Sequence, residues 1–135
     1  MPLFEWSDKF SVNVREMDQQ HKKLFGLIND FYEALFEDTE MEIIEKIFEG
    51  LLDYTEVHFA REEELMKQYS FSGCSVQKQQ HENLVNEVLD MNKRYLADDK
   101  EVSVRIAILL RDWLQDHILL EDKKYGAHFN SKGVT

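Results

Sequence analysis

A histidine and a glutamate, His58 and Glu62, stand four residues apart in the stretch Tyr54–Met66, YTEVHFAREEELM. On an α-helix this spacing puts both side chains on one face, one turn apart. Extended both ways, the face reads Ile44, Ile47, Leu51, Thr55, His58, Glu62 and Leu65. That is the core stripe of an amphipathic helix with an imidazole and a carboxylate set into it. A carboxylate in such a stripe needs a positive partner, because an unpaired buried charge is costly. A metal ion is the economical candidate. The bland alternative is a helix rolled so that Glu62 reaches solvent, and this stretch alone leaves both open.

Three more histidines occupy stripe positions. His21 heads the series His21, Leu24, Phe25, Ile28, Phe31, Tyr32, Leu35. His81 lies early in Gln77, His81, Leu84, Val88, Met91, Tyr95, and His117 closes Val102, Ile106, Leu110, Trp113, His117. Each imidazole alone reads more readily as a satisfied core or edge residue. Four of them meeting in one layer with a carboxylate reverse that weighting. Imidazoles with carboxylates suit first-row metals such as iron, zinc, copper and manganese. So many nitrogen donors exceed what one open metal needs, and a carboxylate can bridge two ions, so a dinuclear site is expected. A second carboxylate should come from the last helix. Four-residue spacing from His117 selects Glu121, whereas Asp122 lies about 140° round from His117 on a regular helix. Spacing leaves both open. His128 belongs to no stripe and reads as an ordinary residue of the tail.

These side chains must be positioned by helices. One proline and five glycines in 135 residues, with abundant Glu, Leu, Lys and Gln, favour an all-α chain. A hydrophobic content of 43% suits one domain spanning residues 1–135 with a real core. Residues 1–17 form an arm carrying Phe4, Trp6, Phe10, Val12 and Val14. The first helix is expected from an N-cap at Asp18 to about residues 37–38. Thr39–Glu42 reads as a capping box that opens the second, which runs to about Tyr69. Ser70–Ser75 is a turn, Ala97–Glu101 a break, and the fourth helix continues through Leu120, Glu121 and Asp122. The stretch 126–135 is expected to be a polar, loosely ordered tail. Short connections make sequential helices antiparallel, giving an up-down-up-down four-helix bundle over residues 18–125. In that topology the starts of helices one and three meet the ends of two and four, and all four histidines fall in one layer.

The formal charge of −11 argues against nucleic acid and anionic membranes as partners. No apolar run approaches the ~20 residues of a membrane span. No secretory leader is visible, and the single cysteine, Cys74, excludes an internal disulfide. These features set the expectation of a cytoplasmic protein, and a monomer is expected.

The chain resembles the hemerythrin family, in particular the single-domain bacteriohemerythrins, over nearly its whole length. The resemblance rests on the arm with Trp6, on Asp18-x-x-His21-x-x-Leu24 and on His58-Phe59-x-x-Glu62-Glu63. It continues through the third helix start ending in His81 and through Arg111-Asp112-Trp113-Leu114-x-x-His117-Ile118-x-x-x-Asp122. It implies a non-haem di-iron centre that binds dioxygen reversibly for storage, transport or sensing, without enzymatic turnover. It implies that His21 and His58 ligate one iron and His81 and His117 the other. Glu62 and Asp122 would bridge, beside an oxo or hydroxo group, which selects Asp122 over Glu121. One departure stands out. The family pattern has two histidines four apart at the third helix start, and this chain has Gln77 in the first of those places, in QKQQH. Gln77 could offer its amide oxygen to the metal or hold a water there. The departure motivates an alternative function as a di-iron oxidase or peroxidase, or in handling nitric oxide. Phe25, Phe59, Trp113, Ile118 and Leu120 are expected to wall the pocket. Cys74 reads as a small turn residue, and Glu63 and Glu64 as a solvated face.

Overall fold

The structure, a computed structural model, describes residues 2–95 and 100–135, with residues 94, 95 and 100 described by backbone alone. Four long helices carry the molecule: α1 (Arg15–Ala34), α2 (Met41–Gln68), α3 (Cys74–Tyr95) and α4 (Lys100–His117). A π-helical turn (Ile118–Asp122) joins α4 to a short helix α5 (Lys123–Ser131). A 3-10 turn at Asp8–Phe10 interrupts the arm. Helix α1 packs on α2, α2 on α3, α3 on α4, and α4 back on α1, which closes the bundle. The expected break at Ala97–Glu101 lies outside the described residues up to position 99, while its last two residues already open α4, and the side chain of Tyr95 is likewise outside those described.

The stripes are what is buried. In α1 these are Met17, His21, Leu24, Phe25, Ile28, Phe31 and Ala34, at the 3.6-residue period of one helix face. In α2 they are Ile44, Phe48, Leu51, Thr55, His58, Phe59, Glu62, Leu65 and Met66. Among the described residues no helix is long and apolar enough to cross a membrane.

The expected helix starts differ from the structure, α3 opening at Cys74 inside the stretch expected as a turn. Helix α1 begins at Arg15, and Asp18 lies inside it instead of capping it. The Asp18 carboxylate reaches back to the arm, accepting from the Ser11 hydroxyl at 2.6 Å and from the Val12 N–H at 2.9 Å. The arm then turns at Asn13, whose φ of 59° is one an asparagine tolerates. Helix α2 begins one residue later than a Thr39 cap requires. Its N-cap is Glu40, which makes no side-chain cap bond, so the capping box does not form.

The arm packs across the bundle as expected. Phe4 stacks on Phe25 and Phe10 meets the same ring edge-on at 5.2 Å. Asn29 of α1 clamps the Phe4 backbone, accepting from its N–H at 2.8 Å and donating to its carbonyl at 2.7 Å.

The tail departs furthest from expectation. Residues up to Ser131 are helical, and Tyr125, Gly126 and Phe129 are buried. The π turn sets this face inward. The Lys123 N–H bonds the Ile118 carbonyl five residues back, where a regular helix uses four. Where α5 crosses the arm, a Cβ on Gly126 would lie 2.2 Å from the Val12 carbonyl oxygen. Only glycine fits there without moving backbone. Gly126→Ala is therefore expected to destabilise by about 1–3 kcal/mol, the usual cost of overpacking. Chemical denaturation of the metal-free variant checks this, and unchanged stability would mean that the arm yields freely.

Candidate metal centre

Four helices and the π turn bring all seven residues singled out by sequence into one buried layer. His21, His58, Glu62, Gln77, His81, His117 and Asp122 are each at most 5% exposed. His21 comes from the first turns of α1, and His58 and Glu62 from the second half of α2. Gln77 and His81 come from the start of α3, and His117 from the end of α4. This is the register that an antiparallel bundle dictates.

The donor atoms converge. His21 Nε2 lies 3.4 Å from Glu62 Oε2 and 3.2 Å from Asp122 Oδ2. His58 Nε2 lies 3.0 Å from Glu62 Oε1, and His81 Nε2 approaches the same oxygen at 3.5 Å. His117 Nε2 is 3.1 Å from Asp122 Oδ1 and 3.2 Å from His81 Nε2. Gln77 spans that side, with Oε1 2.6 Å from His117 Nε2 and Nε2 donating to Asp122 Oδ1 at 2.9 Å. Two ligands about 2.1 Å from one ion and at right angles to it stand about 3 Å apart. These spacings match that value. Glu62 thus addresses three imidazoles and Asp122 two.

The π turn decides which acid faces inward. Asp122 is fully buried, while Glu121 turns outward and pairs with Lys124 at 3.5 Å. Five residues on from His117 is the wrong face of a regular helix, and the wide turn makes it the right one.

A cation fits the unsatisfied atoms. Both ring nitrogens of His21, His58 Nε2, Glu62 Oε1 and Asp122 Oδ2 are buried without a hydrogen-bond partner. Buried polar atoms are nearly always partnered, so a cluster of orphans at one point asks for an ion. One donor atom each from His21, His58 and Glu62 lie within 4.8 Å of one another.

Several contributors were not expected from sequence. Gln20 Oε1 sits 2.7 Å from His58 Nδ1, and Glu63 Oε2 sits 2.8 Å from His81 Nδ1. Such partners fix the ring so that Nε2 presents its lone pair inward. Glu63 is thus not part of a solvated face, whereas Glu64 is exposed and pairs with Arg61. The Tyr125 hydroxyl of α5 donates to Glu62 Oε2 at 2.5 Å. His128 also has a partner, its Nε2 lying 2.6 Å from the Tyr69 carbonyl oxygen. Gln20 adjoins His21 in sequence, which was its only signal, while Glu63 closes the segment His58-Phe59-x-x-Glu62-Glu63.

The wall is aromatic. Phe59 stacks on His81 with centroids 3.8 Å apart, and Trp113 stacks on His117 at 4.3 Å. Phe25 and Ile118 are buried, but Leu120 is 66% exposed on the outer side of the π turn and lines nothing.

Charge is tightly coupled here. Burial disfavours protonated His21, but the adjacent Asp122 and Glu62 carboxylates outweigh it and raise the pKa to about 9. Burial alone would raise Glu62, yet His58 and His21 hold it well below 4.5. Asp122 is likewise lowered by His117 and His21 against burial and the Glu62 charge. Burial lowers His81, whereas Asp122 raises His117 despite burial. Tyr125 is pushed well above its usual range by burial and by Glu62 and Asp122, so it keeps its proton.

In the metal-free protein, His21 contributes stability that is fully present below 6.5 and lost as pH rises through about 9. The lowered carboxylates contribute stability present above their ordinary values and lost on acidification. A metal ion must displace the His21 proton, so its affinity is expected to climb by up to about tenfold per pH unit between 6.5 and 9. Competition titrations with a chromophoric chelator across that range measure the slope. A flat profile would mean that His21 carries no competing proton.

Comparison with known proteins agrees with this geometry. A family model described as the hemerythrin HHE cation binding domain matches residues 12–129. A bacteriohemerythrin of Methylococcus capsulatus is 32% identical over 127 residues, 93% of this chain and 96% of that protein. A hemerythrin-like protein of Naegleria gruberi is 34% identical, with 90% of each chain covered. A crystal structure of a wild-type hemerythrin superposes with a TM-score of 0.84 at 32% identity, covering 93% of this chain and 96% of that one.

Proposed function

As this chain belongs to the hemerythrin family, a family of cation-binding bundles, we propose that its buried cluster is a di-iron centre that binds dioxygen reversibly. The observation that carries this reading is Asp122. One of its oxygens faces His21 at 3.2 Å and the other faces His117 at 3.1 Å, so a single carboxylate addresses both halves of the site. His21 and His58 would hold one iron, and His81 and His117 the other, with Gln77 Oε1 within reach. Glu62 and Asp122 would bridge. When bound, the iron pair would supply the electrons that hold dioxygen and recover them on its release.

The chain's own groups serve that cycle. Gln20 and Glu63 hold His58 and His81 with Nε2 turned inward. Tyr125 stays protonated and pins one oxygen of Glu62. Phe59 and Trp113, stacked on His81 and His117, limit the water that reaches them, which restricts proton delivery and favours release of the ligand unchanged. Storage, transport and sensing of dioxygen all fit this chemistry. Gln77 favours one second reading, an oxidase, peroxidase or nitric-oxide-handling enzyme, because an amide is a weaker iron ligand than imidazole.

The test is anaerobic loading with ferrous iron, admission of dioxygen and its removal, followed by visible absorption. Reversible carriage predicts a band that appears and disappears over repeated cycles. Prompt one-way conversion to ferric protein, with reductant consumed on every turn, would replace carriage with the enzymatic reading.

A further inference from the structure

The two halves of the centre are not built alike. On the α1–α2 side, His58 Nε2 faces Glu62 Oε1 at 3.0 Å and His21 Nε2 faces Asp122 Oδ2 at 3.2 Å, so these atoms meet only other ligands of the centre. Both carboxylates flank His21, at 3.4 and 3.2 Å. The α3–α4 side is already knitted together. His117 Nε2 is bonded to Gln77 Oε1 at 2.6 Å and to His81 Nε2 at 3.2 Å. The Gln77 amide N–H occupies Asp122 Oδ1 at 2.9 Å, the oxygen that faces this half.

We infer that the halves take up metal unequally, His21 and His58 holding the ion that binds first and Gln77 loosening the hold on the second. This rests on the two-metal reading proposed above. Gln77 acts in two ways. Its oxygen is a neutral, harder donor than imidazole. Its N–H also competes with the ion for the lone pairs of Asp122 Oδ1. An ion entering this half must part His117 from Gln77 and from His81, whereas an ion entering the other half replaces only contacts of His21 and His58 with the two carboxylates, which stay in place as its ligands. A histidine at position 77 would lie one turn before His81 on the same helix face. It would add an imidazole and remove the amide donor from Asp122.

The test titrates metal-free protein anaerobically with cobalt(II), a visible stand-in for iron(II), by calorimetry and absorption. Two steps of unequal affinity are expected. Gln77→His should strengthen the weaker step by about tenfold or more and leave the tighter one in place. His58→Gln should abolish or weaken the tighter step. Two steps of equal affinity overturn the inference while leaving the two-metal reading intact. So does a weaker step that Gln77→His does not move, or a tighter step that survives His58→Gln. Saturation at one ion per chain overturns both. If His58→Gln fails to fold, Gln77→His alone carries the decision.

Discussion

Glu62→Ala is expected to yield a folded helical bundle that no longer retains metal. Glu62 places one oxygen 3.0 Å from His58 and 3.5 Å from His81, and the other 3.4 Å from His21. Its removal takes negative charge from both halves of the centre at once. Losing a partner outside the ligand shell lowers metal affinity by roughly 10–100-fold, and a shared ligand should exceed that. The bundle should survive, because Ile44, Phe48, Leu51, Phe59, Leu65 and Met66 still fill the buried stripe of α2 around this position. The substitution does strand the buried Tyr125 hydroxyl, at about 1–3 kcal/mol. Metal content after purification, far-UV circular dichroism and a cobalt(II) titration report the three effects separately. Full metal occupancy in a folded Glu62→Ala protein would remove Glu62 from the centre. Glu121→Ala is the matched control, since its side chain pairs with Lys124 and should leave metal content unchanged.

Phe129→Ala should be the most damaging single substitution outside the centre. Phe129 is fully buried, 5.0 Å from the Tyr125 ring and 5.5 Å from that of Tyr69. Truncating a buried phenylalanine costs about 3–5 kcal/mol. For a chain of this length that is a fall in Tm on the order of 10 °C or more. Because Phe129 holds the helix that carries Tyr125, metal affinity should fall as well, though less than in Glu62→Ala. Thermal unfolding of the metal-free proteins isolates the packing effect. A change of Tm within about 2 °C, which corresponds to well under 1 kcal/mol, would return residues beyond Tyr125 to the status of a loose tail.

The four helices and the histidine layer were legible because they rest on local periodicity. A stripe at 3.6-residue spacing can only be buried by helical neighbours, and an antiparallel order then fixes which ends meet. His21, His58, Glu62, His81 and His117 follow from that logic alone. Asp122 does not. Its inward direction depends on the π turn, which forms because the segment is anchored at both ends by packing that no short window of sequence displays. Tyr125 was missed for a related reason, since it lies 63 residues from Glu62 in the chain. The Thr39 capping box had the right residue types but lost to a helix start one residue later. Asp18 is a good cap by type, yet the arm's backbone offers it better donors. Glu63 resembles its neighbour Glu64, and only the position of His81 distinguishes them.

The wide turn between Ile118 and Asp122 also bears on how freely this segment can vary in length. It spends five residues where an α-helix needs four, and the surplus is absorbed on the outside, at exposed Leu120. A chain one residue shorter between His117 and Asp122 can set the same pair four apart on an unbroken helix, with Tyr125 and Phe129 still in phase behind them. A deletion a few residues later, at exposed Lys124, has no such slack and turns that aromatic face by about 100° away from the core. Length at the edge of the centre is thus free within one residue, while length just beyond it is fixed.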